Sequence, residues 1–479
     1  MIASKPALVL GSIAALALGA CGGSGGDGAG NTPAMPPSFA SYGTVTAFGS
    51  VVVNGVRFDT STASFMLDGN PGAQSDLAVG DVILARGTID ASGTAAIATS
   101  VVFDDLVQGP IGTIDLAAST FTVLGQTVRV SADTSFDDRI QPASLAGLAV
   151  GAVVEVSGLR ELAAIRATRI EPQSAGAELE LTGVLTGHQE LLHLFFVDAQ
   201  LIDYSLLVGI RSPRGSGLAN LQMVEVRGGA VANGIWRPDT IDVLANGLAG
   251  AAGERREVEG FIARFVSAAD FSVLGLAVTT NAQTVFSGGT ATDLGLDVKI
   301  EVEGTLDAAG VLVASKLDIR RASAVRFAAR VDSVNAASPS FVVLGVTVRA
   351  DARTRIEDKS TQPVRPFGVA NLVAGDYVEV RGGEHPTGSG ELLATLVERD
   401  EAKPDSELQG FVQAVAPPNF TILGVTIGTN AATVFRDVAD VPLTAAQFFA
   451  QLAAGDLVKA RGLVVGTRAL QANEVAFED

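Results

Sequence analysis

The residues whose types could do chemistry are few. The chain has three histidines, and two of them, His188 and His193, lie five apart in GHQELLH. A zinc pair on a helix needs a spacing of i, i+4 and a third ligand, and neither is present here. The two imidazoles therefore read as polar residues of a strand and loop. Carboxylates are abundant. Asp133, Asp137 and Asp138 in SADTSFDD could reach a calcium ion, but they lack the alternating acids and central glycine of an EF-hand loop. They read as solvated acids at a strand end. Asp81, Asp376 and Asp456 recur in Gly-Asp contexts and read as side chains that close a turn before a strand. The only tryptophan, Trp236, reads as a packing residue. With so few histidines and one cysteine, Cys21, a Ser-His-Asp or Cys-His nucleophile system has no residues to build it. No metal and no cofactor is expected.

The elements that must position such residues are repeated. The stretch FTVLGQTV at Phe121 returns as FSVLGLAV at Phe271, FVVLGVTV at Phe341 and FTILGVTI at Phe420. Degenerate copies run from Val51 to Phe58 and from Phe195 to Ile202. The turn positions are Gly55, Gly125, Ala199, Gly275, Gly345 and Gly424, spaced about 70–80 residues apart. Two further markers keep the same phase. One is Gly-Asp-x-Val followed by Gly, as in Gly375 to Gly382. The other is a closing pair of apolar residues five apart: Ile97/Val102, Ile165/Ile170, Trp236/Ile241, Leu312/Leu317, Leu392/Val397 and Leu470/Val475. Three markers in one order, six times over, define tandem units at 41–105, 106–175, 176–252 (degenerate), 253–322, 323–403 and 404–479.

Within a unit the apolar residues alternate with period two, so strands dominate. Asn54-Gly55 between apolar runs predicts a type I′ hairpin turn, with the Leu-Gly pairs in the same place and Gly125, Gly275, Gly345 and Gly424 at positive φ. The segment before the fourth strand is longer and variable. In the last unit Thr444 and Gln447 fit a capping box ahead of a short amphipathic helix. The fold class is mainly β: small five-stranded OB-like barrels in tandem, each with a short helix or loop before strand four. An SH3-like barrel is the alternative.

The first residues carry an address. Lys5 precedes an apolar run, Pro6 to Ala17, too short to span a bilayer. Leu18, Gly19, Ala20 and Cys21 follow, and LGAC resembles a bacterial lipobox. That resemblance implies a signal peptide over 1–20 and a lipid on Cys21. Two or more acyl chains give stable anchoring. Gly22 in place of Asp after the cysteine implies the outer membrane by the same resemblance. Residues 21–40, Gly-rich and then Pro-rich, form a flexible tether with a reach of about 20–25 Å. The repeats YGTVTAFGSVVVNGVRFDTSTA (42–63) and VQGPIGTIDLAASTFTVLGQTVRVSADTSFDD (107–138) resemble those of domain of unknown function 5666. That resemblance implies the architecture and the location, and, because the family has no assigned activity, supplies no catalytic residue.

Composition narrows the partners. Formal net charge is −19, and aromatics are 5% of residues. Nucleic acid needs clustered cations and exposed aromatics, so no nucleic-acid partner is expected. The reading is a non-catalytic, lipid-anchored envelope protein whose barrels form an elongated array and bind an unknown protein or glycan. The alternative is an envelope module for an oligosaccharide, peptide or cation, which requires a pocket of convergent polar groups. A carboxylate-based hydrolase requires a pocket of perturbed acids.

Overall fold

A computed structural model describes residues 38–478, apart from 49, 117, 132, 208–209, 211–216, 245–246, 321–324, 386–387 and 439–440. The lipobox, Cys21 and nearly all of the tether lie outside the described residues.

Unit 2 shows how each barrel is built. Its strands are Val107–Asp115, Thr120–Val123, Gln126–Arg129, Val153–Arg160 and Ile165–Pro172. The first pairs with the second and the second with the third, both antiparallel. The third runs parallel to the fifth, the fifth antiparallel to the fourth, and the fourth returns to the first. The circuit 1-2-3-5-4-1 closes the sheet on itself, which is the OB barrel rather than the SH3-like alternative. The same circuit closes unit 1, unit 4, unit 5 and unit 6. Unit 3 closes in pieces, because Gly228 and Gly229 break its fourth strand into Met223–Arg227 and Ala230–Ala232.

The second-to-third hairpin turns through two left-handed residues. Asn54 and Gly55 have φ 52° and 83°, and Leu124 and Gly125 have φ 45° and 73°. This is the type I′ geometry. A left-handed leucine is costly. Leu124, Leu344 and Leu423 offset the strain by burying their side chains. Ahead of strand four, 3-10 turns stand at Gln74–Asp76, Leu145–Gly147, Ala291–Asp293 and Val369–Asn371. Unit 6 has an α-helix there, Ala445–Gln451, capped by Thr444 and Gln447. A further short strand, such as Ser135–Phe136 or Arg355–Asp358, runs parallel to strand five. Its two to four residues are too few for periodicity to reveal.

The apolar pairs five apart have a structural cause. Successive inward positions on a regular strand differ by an even number. Strand five carries a bulge: Ser157 faces Arg169 while Gly158 faces Ala167, so Thr168 is skipped. Ile165 and Ile170 therefore both point into the core. In unit 5, Thr395 is the skipped residue, and a Cβ at Gly382 would lie 2.2 Å from the Leu393 carbonyl oxygen. Unit 1 corrects the sequence reading by one residue. Ile97 is exposed, and Ala96 and Val101 are the inward pair.

Order in space departs from order in sequence, and the units pair through their first strands. The first strands of units 2 and 3 pair antiparallel at Val107/Leu181, and those of units 5 and 6 at Phe327/Leu408. Units 1 and 4 join by parallel pairing of Phe39–Tyr42 with Arg255–Val258. Units 2 and 3 share one apolar core, and so do units 5 and 6. Units 1 and 4 keep separate cores.

The bulge generates a test. Replacing Gly382 by Ala forces a methyl into a backbone carbonyl, so urea denaturation should show a loss of about 1–3 kcal/mol. The control is Gly383→Ala, whose Cβ meets nothing within 4 Å and should be near neutral. Equal losses for both would refute the close-approach account.

Candidate functional site

The residues singled out by chemistry meet only in pairs: Asp81 and Asp137 on Arg169, and His188 and His193 on Tyr204. His188 Nε2 lies 2.7 Å from the Tyr204 hydroxyl, and the His193 ring packs edge-on against Tyr204 with centroids 5.2 Å apart. The two imidazoles thus bracket a tyrosine of unit 3. Asp133 accepts from the Thr395 hydroxyl at 2.9 Å, and Asp137 pairs with Arg139 at 2.6 Å and Arg169 at 3.4 Å. The backbone carbonyl of Asp138 accepts from Gln141. Asp81, Asp376 and Asp456 each accept the backbone N–H three residues earlier, at 2.7, 3.0 and 2.8 Å. Trp236 is fully buried and donates from Nε1 to the Gly228 carbonyl at 2.7 Å. Gly55, Gly125, Gly275, Gly345 and Gly424 stand in the hairpin turns, all at positive φ.

Two places the sequence does not announce gather charge between units. The first is a cavity of about 490 Å³ lined from units 1, 2, 4 and 5. Glu259 faces it, salt-bridged to Lys299 at 2.7 Å and accepting the Thr44 N–H at 2.8 Å. Burial pushes its carboxyl up, but Lys299 and these hydrogen bonds outweigh burial and hold it down at about 2. Glu301 lies between Arg353 Nε at 2.8 Å and Arg320 at 2.6 Å. Arg355, buried, donates to the carbonyls of Asp133 and Thr168. Lys299 and Arg320 answer acids of their own unit, while Arg353 reaches Glu301 across the boundary between units 4 and 5, and Arg355 of unit 5 reaches carbonyls of unit 2.

The second is a carboxylate cluster where unit 1, the linker into unit 2 and unit 3 meet. Oxygens of Asp68, Asp105 and Glu180 lie within 4.8 Å of one another. Asp68 sits in the turn after Ser64–Leu67, at φ 47°, and its Oδ1 accepts the Asp105 N–H at 3.1 Å. Glu180 begins the first strand of unit 3, opposite Gln108. Arg227 answers part of the charge, reaching Glu180 at 2.8 Å, Glu225 at 2.7 Å and the Asp68 carbonyl at 2.6 Å. Burial, then the charges of Glu180, Glu155, Asp68 and Glu225, drive the Asp105 carboxyl well above the usual range. Burial, a hydrogen bond with Glu225 and the charge of Asp68 push Glu180 up to about 9. Nearby Glu155 rises to about 8 and Asp81 to about 7, burial leading in both. The members come from segments far apart in sequence, so no motif marks them. Nor does patterning: Asp105 falls between the strands that end at Phe103 and begin at Val107, and Glu180 takes the polar place in the alternation of AELELTG.

These shifts set a pH profile. Unfolded carboxylates titrate near pH 4. Glu259, Glu379 and Asp358 have folded values near 2, so the stability they add is present above about pH 4 and lost as pH falls toward 2. Asp81, Glu155 and Glu180 are raised, so what they add is present below about pH 4 and lost as pH rises toward 7–9. In chelator-treated buffer these groups together should make the denaturation midpoint peak at about pH 4. Glu155→Gln should flatten the alkaline limb, and an unchanged limb would contradict the assignment.

Comparison with known proteins places this architecture. The family described as Domain of unknown function (DUF5666) matches at residues 42–101, 108–171, 259–318, 329–398 and 409–476. Unit 3 falls between the second and third matches. No curated protein matches the chain. Among solved structures it is similar to "drosophila Unr CSD456", at 10% identity over 45% of this chain and 97% of that one. The TM-score is 0.13, too low to carry a functional comparison. With five matches spread over most of its length, each on a closed five-stranded barrel, the chain belongs to the DUF5666 family.

Proposed function

We propose that this protein is a non-catalytic, lipid-anchored scaffold of the bacterial cell envelope, held to the outer membrane through Cys21. The observation that carries the non-catalytic part is where the shared residues go. The repeated phenylalanines Phe121, Phe195, Phe271, Phe341 and Phe420, and Val51 in their place in unit 1, are all buried in barrel cores. The recurring aspartates Asp81, Asp376 and Asp456 close turns. What recurs builds barrels, and what varies lies between them. The anchored part rests on LGAC and on the apolar run before it. Among the described residues no helix is long and apolar enough to cross a membrane.

A second reading, an envelope ligand-binding module, is favoured by the four-unit cavity. Its volume lies within the range of small-molecule sites, about 300–1,000 Å³. Paired charges on its walls would suit a polar ligand with both donors and acceptors, such as an oligosaccharide or a peptide.

Cell fractionation with a tagged fatty acid tests the anchor. The wild-type chain should carry label and sediment with outer membranes. Cys21→Ala should lose the label and leave the membrane fraction. An unlabelled wild-type chain, free of membranes, would sink the proposal. Affinity capture from intact cells, wild type against Cys21→Ala, then identifies the partner. Melting shifts against oligosaccharides and peptides, lost in Arg353→Ala, would favour the ligand-binding reading over the scaffold.

A further inference from the structure

We propose that Asp68, Asp105 and Glu180 form a site for one hard divalent cation, of the calcium class, joining unit 1 to unit 3 across the linker. The geometry suits it. A calcium ion binds oxygen at about 2.3–2.6 Å, so oxygens sharing one ion lie up to about 5 Å apart. The three carboxylates offer ligand atoms within 4.8 Å of one another. Oxygen ligands alone, without sulfur or imidazole, select hard cations over zinc or copper.

A crowd of acids is not in itself a site, and Asp105 supplies the independent observation. It is 2% exposed, it contributes to the convergent set, and its Oδ1 has no hydrogen-bond partner. Leaving a buried carboxylate oxygen unanswered is costly, and structures normally answer such a group with a donor, a counter-ion or a metal. The nearby guanidinium does not serve this atom. Arg227 spends its two terminal nitrogens on Glu180, Glu225 and the Asp68 carbonyl. The Asp105 N–H is likewise committed, to Asp68 Oδ1. A cation held by the Asp105 carboxylate would find oxygens of Asp68 and Glu180 within the same coordination sphere.

The site's position gives it a consequence. Asp68 belongs to the turn after a short strand of unit 1, Asp105 to the linker, and Glu180 to the strand that pairs units 2 and 3. One ion would tie three segments far apart in sequence. The cluster is distinct from the four-unit cavity, which is not lined by any of the three residues.

The experiment is isothermal titration of the chelator-treated full chain with calcium and, separately, magnesium, alongside denaturation midpoints with and without each ion. A saturable single site and a raised midpoint are expected. Asp105→Asn and Asp68→Asn should each weaken binding by about tenfold or more. Glu178→Gln, which removes an exposed acid beside the cluster, should leave binding unchanged. Circular dichroism and the ion-free midpoint verify that each variant folds, and Asp68→Asn stands in if Asp105→Asn does not. Absence of saturable binding with both ions would overturn the proposal. So would binding that both aspartate variants retain, which would put the ion on surface acids.

Discussion

The constraint on which the barrels depend is a backbone contact. In strand four of each continuous barrel a glycine lies against a carbonyl of strand five: a Cβ there would stand 1.9 Å from Ile97 O at Gly87, 2.5 Å from Arg166 O at Gly158, and 2.0 to 2.2 Å from its neighbour at Gly462, Gly304 and Gly382. The contact accompanies one extra residue on strand five. A bulge bends its strand and increases its twist. That bend lets strand five pair with strand four on one edge and with strand three on the other, in opposite senses, as a closed small barrel demands. Hydroxyls of the skipped residues hold the bend: Thr99, Ser315 and Thr395 each donate to the carbonyl before the glycine.

Much of this was legible. Alternation gave the strands, Asn54-Gly55 gave the hairpin, and Thr444 with Gln447 gave the helix start, because each rests on contacts within a few residues. The five-residue spacing was visible as a pattern before its cause was. The same bulge explains why unit 1 was misread: Ala96-Ile97 and Val101-Val102 both offer apolar residues, and only the register decides which faces inward. The pairing of units was not legible. The strand parts that join units 1 and 4 hold Ser41, Arg256 and Glu257, buried yet polar. Composition assigns such residues to the surface.

Charge explains how barrels of similar sequence find particular neighbours. Units 2 and 5 meet where Lys359 and Arg381 of unit 5 donate to the carbonyls of Phe136 and Thr134, beside Arg355 on Thr168. Cations aimed at chain carbonyls demand one register. Buried ion pairs add little net stability relative to apolar contacts, yet breaking one is costly, so they discriminate between arrangements more than they strengthen any. Apolar pairing alone would let any first strand join any other.

The cavity and the carboxylate cluster are two outcomes of that same use of charge. At the cavity, Lys299, Arg320 and Arg353 stand against Glu259 and Glu301, and compensation draws the Glu259 carboxyl down. At the cluster, Arg227 stands against Glu180 and Glu225, with Asp105 and Asp68 beside them, and the carboxyls of Asp105 and Glu180 rise. Both lie between units, where the repeats differ; of the hairpins that define the repeat, Asn54 of unit 1 reaches the cavity wall, and the carboxylate cluster uses none. A fold copied along one chain frees its inter-unit surfaces to diverge, because barrel closure depends on the bulge, the turn and the core. The chemistry peculiar to this protein therefore belongs to the seams, and the seam whose charge is left uncompensated is the one that calls for a partner from outside the chain.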